Sequence, residues 1–242
     1  MTEVPTGGSE RNDGPEQVRA GSVDSGHLLL MGAGPGLGSA VARRFAAGGY
    51  RVTLAARSAD RLGELAQGLD DTGAEINTVE ADASSPEELR ARMTELYSEA
   101  GAPGVVIYNA VVGAPDRLLT STAAHLQEAY AVDVIGAIVV AQEAAPAMKA
   151  AGSGTMIVTG GGFADHPIPA LATVSLGKAA LRSAATMLGA DLGPDGIRVA
   201  TLTIAGQIAA GTAFDPARIA ERYWQVVQLD GSWQAEFRFT GE

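Results

Sequence analysis

Four glycines fall within seven residues, Gly32-Ala33-Gly34-Pro35-Gly36-Leu37-Gly38, directly after the apolar run Leu28 to Met31 and before the helix-period stretch Ser39 to Ala47. Glycine lets backbone amides approach a diphosphate closely, and a helix N-terminus offers unpaired N–H groups and the positive end of its dipole. A glycine-rich loop can also be an ordinary turn, but the strand-to-helix setting favours a phosphate ligand. Roughly 20 residues beyond the loop, where a carboxylate would hold a ribose 2′-hydroxyl, the chain reads Ala55-Ala56-Arg57-Ser58. A guanidinium and a hydroxyl there suit a 2′-phosphate, which points to NADP(H); the bland reading of Arg57 is a solvated charge opening the next helix. A further residue could handle protons: His166, beside Asp165, which could orient its imidazole. A loop histidine is more often an exposed polar group. Tyr108 is a weaker candidate that reads more simply as core, and His125 sits among surface-type helical residues. Three scattered histidines and no cysteine give no metal-ligand spacing.

The elements that must position these residues follow from periodicity. Candidate strands are Leu28 to Met31, Arg51 to Ala55, Glu75 to Ala81, Val105 to Tyr108, Thr155 to Thr159, Arg198 to Ile204 and Trp233 to Phe239. Helical stretches lie between them, so the expected fold is α/β: a doubly wound, Rossmann-type parallel sheet of about seven strands with helices on both faces. Val41 and Phe45 mark the inner face of the first helix, Gly48-Gly49 its stop, and Leu62, Leu65 and Leu69 the inner face of the second. Ser85-Pro86-Glu87-Glu88 reads as a reciprocal capping box with proline in the first turn, and Asp215-Pro216 as a second cap. The Ala-rich stretches Ala123 to Ala150 and Val174 to Leu192 suit close packing, either on the chain's own sheet or between the subunits of a homodimer or homotetramer.

The chain has 242 residues, 46% of them hydrophobic, enough to bury one large core. Residues 1–26 read as a disordered tail and 27–242 as a single domain. A net charge of -11, with Lys149 and Lys178 the only lysines, argues against nucleic acid or an anionic membrane as partner. No uncharged apolar run reaches the ~18 residues of a membrane span. With no cysteine, no disulfide framework is available, and a cytoplasmic location and a small-molecule substrate are expected.

Gly32, Gly36 and Gly38 fit the spacing G-x-x-x-G-x-G, and on this loop the chain resembles the short-chain dehydrogenase/reductase family from about residue 27 to its end. The resemblance implies a nucleotide site of Gly32, Gly34, Gly36, Leu37 and Gly38, with Arg57, Ser58, Asp82, Ala83, Asn109, Ala110 and Lys178. Asp82 matches an aspartate that meets the adenine amino group, and Asn109-Ala110 matches the start of an Asn-Ala-Gly segment whose glycine is here Val111. Met31 replaces a threonine that braces the loop. The family's working set is Asn, Ser, Tyr and Lys. Lys178 falls at the lysine position, but counting back places Val174 at the tyrosine and Gly161 at the serine, and Asp133 stands for the asparagine.

Carbonyl reduction builds charge on oxygen, and valine and glycine can neither donate a proton nor hold that oxygen. A positioned acid is worth roughly 10²- to 10⁴-fold. Lys178 is still expected on the nicotinamide ribose, in an ion pair with Asp133 or as part of a proton relay with it. The connection from Ala205-Gly206-Gln207 to Asp215 is also shorter than the family's helical lid, implying an open or partner-covered pocket. The expectation is an atypical NADP(H)-dependent reductase of a small organic carbonyl or conjugated compound. The alternatives are a nucleotide-binding protein without redox turnover, and a non-redox isomerase or lyase.

Overall fold

The computed structural model describes residues 23–242. Most of the expected tail, residues 1–22, lies outside the described residues. Val23 to Gly26, assigned to the tail from sequence, belong instead to the first strand, β1 (Val23–Met31), which pairs with a neighbouring strand from Val23 onward.

The remaining strands are β2 (Arg51–Ala56), β3 (Ile76–Glu80), β4 (Ala102–Tyr108), β5 (Gly154–Gly161), β6 (Ile197–Ile204) and β7 (Glu236–Phe239). The helices are α1 (Leu37–Ala47), α2 (Ala59–Gln67), α3 (Pro86–Ala100), α4 (Ala123–Tyr130), α5 (Gly136–Ala151), α6 (Ala172–Leu192) and α7 (Pro216–Val227). Seven strands form one sheet in the order β3-β2-β1-β4-β5-β6-β7, parallel throughout. The period of two in β1 divides the core. Leu28 and Leu30 pack with Val41, Phe45 and Tyr223 beneath α1, α2 and α7, whereas Leu29 and Met31 pack with Met93, Val140 and Leu181 beneath α3, α5 and α6. Both faces of the strand are covered, which is why its sequence is a continuous apolar run.

One local expectation is revised. Ser85 stands at the N-cap of α3, but its side chain makes no capping bond, so the reciprocal box with Glu88 does not form; the Asp82 carboxylate holds this turn through Ser84 N at 2.8 Å. Asp215 does cap α7, accepting from Ala217 N at 2.8 Å. The Ala-rich stretch Ala123 to Ala150 forms α4 and α5, joined by a π-helical turn at Ala131–Ile135. Together they are long and apolar enough to cross a membrane by composition alone, yet 61% of the most apolar window is buried inside the fold.

At the opposite end of the sheet from the glycine loop, His27 is fully buried, with Nε2 2.8 Å from Thr53 Oγ1 and Nδ1 3.2 Å from the Arg51 guanidinium. Burial, reinforced by the Arg51 charge, pulls its pKa down to about 4. The unfolded chain therefore binds a proton between pH 4 and 6.5 that the native state refuses, and this contribution to stability is lost as pH falls through that window. We expect the difference in unfolding free energy between parent and His27→Gln to shift by about 2 kcal/mol between pH 7 and pH 5. Urea denaturation at both pH values checks this, and a constant difference would show that His27 is not the titrating group.

Candidate active site

The connections leaving β1 and β4 run to opposite faces of the sheet, and the crevice between these neighbouring strands opens at their C-terminal ends. It is a cleft of about 720 Å³, lined among others by Gly32, Gly34, Arg57, Ser58, Asn109 and Val112. Gly32 has φ +86°, and a Cβ there would stand 2.3 Å from Ala110 N, so no other residue fits between the loop and the end of β4. Gly34 and Gly36 differ: nothing lies within 4 Å of where their Cβ atoms would be, leaving bare backbone. Gly38 draws α1 onto the loop, its Cβ position 3.2 Å from Ala33 Cα. Leu37 is buried in the core, so only its backbone is available to a ligand. No side chain caps α1 and no carboxylate stands in its first turn, which leaves this terminus suited to an anion. These features fit a dinucleotide.

Arg57 and Ser58 open α2 along one wall of the cleft, and Ser58 also caps that helix, accepting from Arg61 N at 3.4 Å. Arg61 lines the same wall, with Glu64 further along α2. Sequence reading missed Arg61, which stands in the first turn of α2 after the Ser58 cap. After β3, Ala83 lines the cleft, whereas the Asp82 carboxylate is bound to Ser84 N.

Asn109 is a brace more than an open contact. Its Nδ2 donates to Gly32 O at 3.1 Å and its Oδ1 accepts from Thr159 Oγ1 at 3.0 Å, so it steadies the loop that Met31, turned into the core, cannot. Since the Thr159 hydroxyl hydrogen goes to Asn109, the Tyr223 hydroxyl donates to Thr159 Oγ1, at 2.7 Å. The Lys178 ammonium donates to Thr159 O at 2.6 Å. Thr159 thus ties β4, β5, α6 and α7 together, a role no local pattern announces.

Lys178 and Asp133 do not form the expected ion pair among the described residues. Asp133 rides on the π-helical turn and accepts from Val112 N at 2.8 Å, while Lys178 turns to β5. Burial pulls the Lys178 pKa down to about 8 against the opposing Asp133 charge. Burial pushes Asp133 up to about 6, opposed by the Val112 N–H and Lys178. Its Oδ2 is buried without a hydrogen-bond partner among the described residues, lying 2.6 Å from where a Cβ on Gly177 would be. Gly177 is what makes room for this carboxyl group.

A carboxyl with a raised folded-state pKa stabilises the native state below pH 3.8 and loses that contribution as pH rises through about 6. Asp133→Asn should therefore be more stable than the parent by about 2–3 kcal/mol at pH 8, the advantage shrinking as pH falls to 4. Thermal melts at the two pH values check this; an asparagine variant less stable at pH 8 would contradict the assignment.

Val174 is buried on α6 one turn before Lys178, and Gly161 ends β5 with 3.6 Å of clearance from its Cβ position to Lys178 Cγ. His166 is exposed, and Asp165 does not orient it. The Asp165 carboxylate is held instead by Arg182 at 2.6 Å and Arg238 at 2.5 Å, because α6 and β7 place both guanidiniums over the loop. Tyr108 is core: its hydroxyl is buried and donates to Val132 O, supporting the π-helical turn, and burial raises its pKa. His125 Nε2 lies 3.1 Å from Asp116 Oδ2, and the Asp116 carboxylate also accepts from Thr173 N.

Residues 27–213 match the short chain dehydrogenase family. An uncharacterized oxidoreductase of Mycobacterium tuberculosis is 30% identical over 178 residues, which span 72% of this chain and 70% of that protein. The crystal structure of a metagenomic short-chain oxidoreductase in complex with NADP superposes with a TM-score of 0.81 at 27% identity, covering 91% of this chain and 98% of that one. A short-chain dehydrogenase from Rhodopseudomonas palustris superposes with a TM-score of 0.78 at 26% identity, covering 88% and 96%.

Proposed function

Because the chain belongs to the short-chain dehydrogenase family, we propose that it is an NADP(H)-dependent oxidoreductase of a small organic carbonyl or conjugated compound, with an atypical catalytic centre. The observation that carries the cofactor assignment is the cleft itself: bare glycine backbone at an uncapped helix terminus, with Arg57 and Arg61 on the adjoining wall.

In this reading the loop N–H groups bind the diphosphate, and Arg57 and Arg61 hold the 2′-phosphate in charge-assisted hydrogen bonds. Asn109 keeps the loop in register through Gly32 O. Lys178 has three ammonium donors, of which Thr159 O takes one, leaving the others for ribose hydroxyls. When bound, the reduced nicotinamide supplies a hydride. The atypical part lies at Val174 and Gly161, which leave the family's acid and oxyanion donor without a side chain to act. Self-association also belongs to the proposal, as a homodimer or homotetramer: Tyr130, Ile135 and Leu176 are exposed and line one largely apolar groove.

Titration of the purified protein with NADPH and NADH, followed by a carbonyl panel read at the nicotinamide absorbance, tests the reading. Tighter NADPH binding and substrate-dependent oxidation are expected. NADPH binding without oxidation of any kind would favour a nucleotide-binding protein without turnover; no binding of either nucleotide would remove the proposal. The pair Val174→Tyr and Gly161→Ser, made together, should add carbonyl reduction if these positions are the missing donor and oxyanion groups.

A further inference from the structure

The glycine loop is held by its first peptide. In the plane joining Gly32 to Ala33, the Gly32 carbonyl accepts from Asn109 Nδ2 at 3.1 Å and the Ala33 N–H donates to Ala55 O at 3.1 Å, so the ends of β4 and β2 fix its rotation. At the other end of the loop Ser39 N donates to Gly34 O at 2.8 Å, which ties it to α1. The amides between take their direction from these two attachments.

Asn109 serves in one orientation only. Gly32 O accepts and cannot donate, so the amide presents Nδ2 to it and Oδ1 to the far side. There Thr159 Oγ1 lies 3.0 Å from Oδ1 and must donate its one hydrogen. The Tyr223 hydroxyl, 2.7 Å from Thr159 Oγ1, must then donate in its turn. The result is a one-way chain from Tyr223 through Thr159 and Asn109 to Gly32 O. Tyr223 is fully buried and Thr159 is 6% exposed, so bulk solvent does not replace a broken link.

The helix that carries Tyr223 also grips the far side of the loop. Glu221 on α7 accepts from Arg44 Nε at 2.6 Å, and the Trp224 ring stands edge-on to Phe45 with centroids 5.4 Å apart. Trp224 also fills the space over Gly48, where a Cβ would lie 2.3 Å from the ring. Thus α7 backs the cradle twice, through α1 and through the hydrogen-bond chain.

Resting on the nucleotide assignment above, we propose that Thr159 and Tyr223 are positioning residues for the dinucleotide, acting through Asn109 to aim the loop amides at its diphosphate although neither lines the cleft. The Thr159 carbonyl separately holds the Lys178 ammonium. A change of the Thr159 side chain therefore disturbs the cradle and leaves the lysine's partner in place.

NADPH and NADH titrations of the parent come first; if neither binds, the nucleotide assignment fails and this proposal with it. Thr159→Val removes the hydroxyl at nearly constant volume and should weaken both nucleotides by about 10-fold in equal proportion, because the diphosphate is common to them. Thr159→Ser restores the hydroxyl and should bind within about 2-fold of the parent. Tyr223→Phe should weaken both by about 3-fold, since Thr159 keeps its bond to Asn109 and loses only the donor behind it. In an Asn109→Ala background, where the link is already cut, adding Thr159→Val should cost no more than about 2-fold.

Thr155→Val is the control for a merely structural role. Thr155 stands on the same strand at the end away from the cleft, and its buried hydroxyl accepts from Arg198 Nη2 at 2.9 Å. Its loss should lower stability and leave nucleotide affinity unchanged. Hydrogen exchange of the free protein supplies a readout without ligand: the amides of residues 34–38 should exchange faster in Thr159→Val than in the parent, and at the parent rate in Thr155→Val. Parent-like affinity in Thr159→Val or in Tyr223→Phe, no recovery with serine, an equal loss in Thr155→Val, or a full second loss in the Asn109→Ala background overturns the proposal and leaves the nucleotide assignment standing. If Thr159→Val does not fold, Tyr223→Phe, which keeps the buried ring, decides alone.

Discussion

Gly32→Ala should lower the stability of this protein by about 2–5 kcal/mol and abolish nucleotide binding. Two costs combine. A side chain at φ +86° costs about 1–2 kcal/mol, and a Cβ 2.3 Å from Ala110 N must move backbone on one side or the other, adding about 1–3 kcal/mol. The movement also breaks the register that Asn109 sets through Gly32 O, and the amides of the loop lose their common direction. Gly34→Ala supplies the contrast, since it meets nothing within 4 Å and its φ is not positive. Its stability should stay within about 0.5 kcal/mol of the parent, while its methyl group, directed into the open cleft, weakens the nucleotide. Urea denaturation and NADPH titration of the two variants separate the effects. A Gly32→Ala protein that binds NADPH like the parent would mean that this loop does not form the cradle.

Arg57→Glu should weaken NADPH by about 100- to 1000-fold and NADH by no more than about 10-fold. A charge-assisted hydrogen bond contributes about 1.5–3 kcal/mol, and the new carboxylate adds repulsion toward the 2′-phosphate; each 1.4 kcal/mol is tenfold in affinity. NADH carries a hydroxyl at that point, which a glutamate can accept from, so the selectivity should move toward NADH. Arg61→Ala should act in the same direction with a smaller effect. Titrations at fixed ionic strength measure the ratio, and equal weakening of the two nucleotides would withdraw the reason for assigning NADP(H).

The residues at the site differ in how legible they were. The glycine loop and Arg57 could be placed from the sequence because each depends on a strand end or a helix start within a few residues of it, whereas Lys178 was placed by the family resemblance. The pairing proposed for Lys178 and Asp133 could not be: the ammonium chose the backbone oxygen of Thr159, which β5 presents, and the carboxyl chose Val112 N. Asp165 was assigned to its neighbour His166 by adjacency, but adjacent side chains in a turn need not face each other. Arg238, 73 residues away, reaches it because β7 runs beside β6.

By itself the sequence determined the alternation of strands and helices, the seven-stranded parallel sheet and the place of the glycine loop in it, since periodicity and turn chemistry are local properties. The tertiary structure alone decided which polar groups are engaged and which are free. The Thr159 junction joins Asn109, Lys178 and Tyr223, and the depressed basicity of His27 comes from burial beside Arg51. Hydrogen bonds and desolvation depend on which distant segments the sheet order brings into contact, and no spacing along the chain encodes that.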